Sequence, residues 1–252
     1  MDLTAQINFN GTEYSVDFKK PVDLSLPVKP SGVKAWYVSD PEIKPVEAEG
    51  FTGAVSRGGN VNFRNVFFNP HGHGTHTECV GHIAEEVHSV NRHIKEFIHP
   101  ARLISIKPEN INGDRIITKE QVAFLKNEPP LPALMVRTLP NSPDKKDMNY
   151  SNTNPAYIHH EAMKLIVECG VEHFLIDTPS VDREEDSGKL LSHRTFWGFP
   201  SNIRYNCSIT ELIFVPNDVA DGIYLLNLQF ASIENDASPS KPVIYELKNT
   251  KP

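Results

Sequence analysis

Hydrophobic and polar positions alternate with period two near the start of the chain, the pattern of half-buried strands. Residues 6–9 and 14–18 alternate in this way around Asn10-Gly11, a dipeptide that accepts positive φ in a hairpin turn. Short β-rich or apolar runs bounded by turn residues predict further strands at 101–107, 133–138, 173–177, 209–215, 223–231 and 243–247. Helical signals are fewer. Thr118-Lys119-Glu120-Gln121 has the form of a capping box ahead of 122–126. Asn154-Pro155 reads as an N-cap with proline at N1, opening a helix over 156–169 that Gly170 stops. Strands mixed with a few helices indicate an α/β or α+β fold. The breaker-rich stretch 140–147 reads as an exposed loop rather than a linker, because patterned segments resume after it, so residues 1–252 are expected to form one domain.

Composition narrows the function classes. With 25 Lys+Arg against 32 Asp+Glu the formal net charge is −7, which argues against a nucleic-acid partner. No apolar run approaches the roughly 20 residues of a membrane helix, and the opening residues show no secretory pattern. Cys79, Cys169 and Cys207 are too few and too widely spaced for a disulfide framework. The expectation is a cytoplasmic globular protein.

Histidine changes that picture. Of 11 histidines, seven lie between His71 and His99. Asn69-Pro70-His71-Gly72-His73-Gly74-Thr75-His76-Thr77-Glu78-Cys79-Val80-Gly81-His82 gathers four imidazoles and a carboxylate in a segment whose glycines and proline predict a loop. Such a loop can bend several side chains toward one point, and imidazole with carboxylate is the usual ligand set for zinc and similar divalent ions. The alternative is a polar surface loop with incidental histidines. Glu211 interrupts the apolar run Ile209 to Val215, so it is either paired or metal-bound in the interior, or turned to solvent by strand alternation.

These residues resemble the metal-dependent cyclase family, which includes bacterial kynurenine formamidase and isatin hydrolase. The family motif His-x-Gly-Thr-His-x-Asp-x-Pro-x-His is followed in register by Gly74-Thr75-His76-x-Glu78-x-x-x-His82. Asp23-Leu24-Ser25 resembles the family's opening strand, and Asp177-Thr178-Pro179-Ser180, His193 and Glu211-Leu212 resemble its later landmarks in the right order. Three departures stand out. The motif's first histidine position is Gly72, flanked by His71 and His73; Glu78 replaces Asp; and Val80 replaces Pro.

The resemblance implies an α/β swivelling β/β/α domain with a mixed sheet, assembled as a homodimer or higher homo-oligomer. It also implies hydrolysis of a small-molecule amide, either an N-formyl aryl amide or a cyclic amide. One or two divalent ions, Zn²⁺ or Mn²⁺, would be held by His76, Glu78, His193, Glu211 and either His71 or His73, with His71 assigned. His82, at the motif's last position, would be the catalytic acid–base. A non-catalytic metal-binding or small-molecule-binding relative is the third reading. Elsewhere, Cys79 reads as a packed thiol, Arg137 as a substrate-carboxylate ligand or a structural salt bridge, and His88, His93 and His99 as solvated or capping residues. Trp36, Tyr37, Phe51 and Trp197 line an aromatic pocket or belong to the core.

Overall fold

The computed structural model describes residues 2–250. Seven strands close into a mixed barrel: Ala237–Asn249, Gly222–Phe230, Ile98–Ile106, Ala133–Thr138, His173–Ile176, Ser208–Glu211 and His76–Glu78, the last pairing back to the first. The four from Ile98–Ile106 to Ser208–Glu211 run parallel, and the remaining pairings in the ring are antiparallel. The hairpin Thr4–Phe9/Thr12–Asp17, turned at Asn10 and Gly11 with positive φ, extends the sheet from the C-terminal strand.

Side-chain alternation along the parallel strands divides the core in two. Ala101, Leu103, Ala133, Met135 and Leu175 face one cluster with Leu226 and Ile244. Their neighbours Ile104, Leu134, Val136, Phe174 and Ile176 face the other, which is covered by helices His160–Glu168 and Leu191–Trp197. The first cluster therefore fills the barrel and the second lies between barrel and helices.

Several predicted boundaries move. The helix predicted over 156–169 begins only at His160, with His159 as its N-cap, because Tyr157 and Ile158 pair in parallel with Ile116 and Ile117. The capping box at Thr118 forms, but its α-helix ends at Val122 and continues as a 3₁₀ turn to Asn127. The strand predicted over 209–215 stops at Glu211, since Leu212 turns the backbone with φ 56°. The histidine-rich segment is not wholly a loop: His76–Glu78 is the strand that closes the barrel.

Candidate active site

That three-residue strand explains why the motif spaces its side chains as it does. In a strand, residues i and i+2 share a face. Thr77 points the other way, sharing a 2.8 Å hydroxyl hydrogen bond with Thr210. His76 stands opposite Glu211 in register, and Glu78 opposite Ile209, which belongs to the helix-covered cluster. His76, Glu78 and Glu211 are thus set on the helix side of the barrel wall. His193 comes down onto them from helix Leu191–Trp197, with Trp197 packed 5.5 Å behind its ring. Gly74, two residues before His76, has φ 68°, and a Cβ there would meet Leu26 O at 2.7 Å. Glycine is required at this turn.

All six site residues predicted from the sequence come together. His193 Nε2 lies 3.1 Å from Glu78 Oε1 and 3.8 Å from Glu211 Oε1. His71 Nδ1 lies 3.0 Å from Glu78 Oε2, and His76 Nε2 lies 3.4 Å from Glu211 Oε2. The backbone N–H of Val181 donates to Glu211 Oε1 at 3.0 Å and fixes that carboxylate. His82 stands at the rim, its Nδ1 3.9 Å from Glu78 Oε2, with its ring tilted over those of His71 and His193.

His73 turns away. Its Nδ1 accepts from the Asn69 N–H at 2.9 Å and its Nε2 faces Ser39 O at 2.7 Å, so it holds the loop together. The structure also supplies a reason for glycine at the motif's first histidine position: a Cβ on Gly72 would lie 2.8 Å from Val38 Cγ2.

Two further carboxylates complete the constellation. Asp182 accepts from the Ser192 and His193 backbone N–H groups at 2.8 and 3.0 Å, and faces His193 Nδ1 at 2.6 Å. Asp236 faces His71 Nε2 at 2.7 Å and His82 Nδ1 at 3.7 Å. Neither was singled out from the sequence. Asp182 follows the Asp177-Thr178-Pro179-Ser180 landmark and could have been found by its distance from His193. Asp236 lies in Glu234-Asn235-Asp236, where no pattern marks it.

The electrostatics are those of a dense charge cluster. Burial disfavours the charged ring of His71, yet contacts with Asp236 and Glu78 outweigh it and raise its pKa to about 10. His193 is raised to about 10 in the same way, Asp182 and Glu78 overcoming its burial. Burial opposes ionisation of Glu78, but His82, His193 and His71 around it hold its carboxyl well below the usual range. Asp236 and Asp182 are lowered too, the histidine contacts outweighing desolvation. At neutral pH Glu78, Asp182 and Asp236 are therefore ionised.

Within the site, His76 Nε2 lies 3.4 Å from Glu211 Oε2 without being hydrogen-bonded to it. His76 is 0% exposed, and among the described residues its Nε2 makes no hydrogen bond. A buried orphan of this kind costs about 1–3 kcal/mol unless something else satisfies it. Donor atoms of His71, His76 and Glu78 lie within 4.8 Å of one another, as do those of Glu78, His82 and His193. Imidazoles and carboxylates at this spacing are the donor set of a divalent cation, and such an ion would satisfy His76.

A cavity of about 400 Å³ opens onto this floor, walled by Trp36, Val38, Asn69, Arg183 and Leu190. The other aromatic candidates separate: Trp197 is core, whereas Tyr37 and Phe51 are exposed. Arg137 is structural, clipping Ser105, Pro216, Val219 and Asp221 together. Cys79 is fully buried and its thiol pKa is pushed up to about 12 by burial. His99, expected to be solvated or capping, is 4% exposed, with its ring tilted against that of His173 at 4.1 Å.

The chain belongs to the cyclase family: the family model described as "Putative cyclase" matches residues 22–183. It is 28% identical over 188 residues to kynurenine formamidase of Bacillus cereus (strain ATCC 10987 / NRS 248), covering 74% of this chain and 81% of that protein. Among solved structures, isatin hydrolase A from Labrenzia aggregata shares the fold with a TM-score of 0.64 at 16% identity, over 90% of this chain and 93% of that one. A predicted metal-dependent hydrolase from Bacillus stearothermophilus does so with a TM-score of 0.61 at 15% identity, over 90% and 98%.

Proposed function

We propose that this protein hydrolyses the amide bond of an N-formyl aryl amide, with His71, His76, Glu78, His193 and Glu211 holding Zn²⁺ or Mn²⁺ and His82 serving as acid–base. The observation that carries the reading is the buried Nε2 of His76, which makes no hydrogen bond and lies 3.4 Å from Glu211 Oε2. The kynurenine formamidase relative supports amide chemistry. A divalent ion bound there would polarise the carbonyl and lower the pKa of a water from 15.7 to about 7.

The chain's own residues do the rest. Trp36, Val38 and Leu190 give the cavity an apolar wall on which an aryl ring can lie and exclude water. His82 lines the same cavity with a side chain 30% exposed, and no group holds it within hydrogen-bond distance of Glu78 or Asp236. It is free to take the proton of the attacking water and return it to the departing nitrogen. Glu211, pinned by Val181, and His193, pinned by Asp182, keep the floor rigid while this happens.

The test is a panel of N-formyl aryl amides and cyclic amides, assayed before and after chelation, on the native enzyme and on His82→Gln. Turnover of formamides should vanish with chelator and return with added metal. His82→Gln should keep its metal and lose about 10²–10⁴-fold in kcat. Preferential turnover of cyclic amides would move the assignment to an isatin-type hydrolase. Bound metal with no amide turnover would favour a binding protein.

A second copy of the chain is the proposed partner. The ribbon Glu42–Pro45/Arg64–Phe67 and its neighbours expose Val55, Val61, Phe63, Val66 and Phe67. Such a run of exposed apolar side chains suits the apolar core of an interface between two copies. A cytoplasmic location fits its three free cysteines, and among the described residues no helix is long and apolar enough to cross a membrane.

A further inference from the structure

We infer that Asp236 is the positioning carboxylate of His71, and that it turns this histidine so that Nδ1, not Nε2, meets the metal. The inference rests on the metal-centre reading above. It begins from Gly72. A side chain at the motif's histidine position would displace Val38, whose Cγ2 would lie 2.8 Å from a Cβ there. The imidazole comes instead from His71, one residue earlier, and a ring arriving from a different backbone position need not present the same nitrogen.

The distances indicate which nitrogen it presents. His71 Nε2 faces Asp236 Oδ2 at 2.7 Å, on the outer side, while Nδ1 faces Glu78 Oε2 at 3.0 Å, on the inner side. The arrangement at His193 is its counterpart. There Nδ1 faces Asp182 Oδ2 at 2.6 Å and Nε2 faces Glu78 Oε1 at 3.1 Å. Each histidine thus has one nitrogen anchored by an aspartate and the other against a different oxygen of Glu78. A neutral imidazole that gives one lone pair to a metal must donate its remaining N–H elsewhere, and a carboxylate there fixes both tautomer and ring orientation. Asp182 does this for His193 and Asp236 for His71, with opposite nitrogens turned inward.

The backbone holds Asp236 to the task. Its carbonyl accepts from the Cys79 N–H at 2.9 Å, and the next residue, Ala237, is in register with Glu78. The pairing that closes the barrel therefore delivers this carboxylate to the far side of the His71 ring. Asp236 is a positioning residue in this account and contributes no ligand atom.

The experiment loads the full-length protein with ¹¹³Cd²⁺ and follows ¹⁵N-labelled histidine by NMR. The expected result is ¹¹³Cd–¹⁵N coupling at Nδ1 of His71 and at Nε2 of His193. Asp236→Asn should weaken Cd²⁺ binding by about 10–100-fold, with Asp236→Glu recovering part of the loss. Coupling at His71 Nε2 would overturn the inference, and would instead make Asp236 a ligand alongside His71 and His82. Wild-type Cd²⁺ affinity in Asp236→Asn would overturn it while leaving the metal centre standing. If the native protein bound no Cd²⁺, Zn²⁺ or Mn²⁺ at all, the metal-centre reading would fall and this one with it. The coupling pattern is read on the native protein, so the nitrogen assignment stands or falls even if the Asn variant does not fold.

Discussion

Replacing Asp182 with asparagine separates its electrostatic role from its structural one. The carboxylate makes three contacts: Oδ1 accepts from the Ser192 N–H at 2.8 Å, and Oδ2 serves the His193 N–H at 3.0 Å and faces His193 Nδ1 at 2.6 Å. An amide placed with its oxygen at the Oδ1 position keeps the contact to Ser192. Its NH₂ group then faces two donors where an anionic oxygen stood. The loss falls on His193, whose Nδ1 loses a charge-assisted hydrogen bond worth about 1.5–3 kcal/mol. Outer carboxylates on metal-bound histidines are typically worth 10–100-fold in metal affinity, equivalent to about 1.4–2.7 kcal/mol, so the two estimates agree. The assay is competition for Zn²⁺ against a chromophoric chelator, with a thermal melt of the metal-free protein run alongside. Asp182→Asn should bind at least ten times more weakly. A dissociation constant within twofold of the native value would refute the reasoning, because His193 would then be oriented without Asp182.

Three further outcomes follow from the same structure. In chelator-treated protein, His71 and His193, both with pKa raised to about 10, contribute stability that is complete below about pH 6.5 and lost as pH rises through about 10. Glu78, Asp182 and Asp236, held low, contribute stability present above about pH 4 and lost on acidification, so the melting temperature of the metal-free form should peak between these limits; a melt that rises steadily from pH 6.5 to 10 would contradict this. Cys79, buried with its thiol near 12, should resist iodoacetamide at pH 8 in the folded protein and react only on denaturation, as mass spectrometry of the alkylated peptide will report. Lys145 Nζ lies 2.8 Å from the fully buried carboxylate of Asp177, so Lys145→Met should cost about 3–5 kcal/mol in urea unfolding by stranding that charge; a loss under 1 kcal/mol would show that Asp177 simply takes up a proton.

Strand positions were legible in the sequence because alternation in the first hairpin, and apolar runs bounded by turn residues elsewhere, are local properties. Ala133–Thr138 falls where a short apolar run bounded by turn residues places it; it is buried along its whole length, and its two faces feed the two core clusters. The site histidines were legible for a different reason: imidazole density in a glycine-rich segment and the motif's spacing both point to one place. The hidden features depend on partners distant in sequence. His76–Glu78 is a strand only because Ser208–Glu211 and Ala237–Asn249 flank it, and no local propensity makes Gly74-Thr75-His76 extended. Asn154-Pro155 carries a helix-start signal, but pairing of Tyr157 and Ile158 with Ile116 and Ile117 delays the helix. His71 and His73 were indistinguishable by composition and are separated by Val38, which occupies the space above Gly72, and by the Ser39 carbonyl that takes His73. Asp236 is invisible for the same reason, 165 residues from the ring it faces.

The barrel's shortest strand also limits how the gene for this protein can change. His76 and Glu78 face the site because each is an even number of residues from the other, so one inserted or deleted codon between Gly74 and Cys79 would present Thr77 to the site and send a charged group into the barrel. Point substitutions there alter one site residue, whereas a change of length discards the whole set. Diversification of substrate must therefore fall on the rim, on residues such as Trp36, Arg183 and Leu190, whose loops can lengthen without shifting that frame.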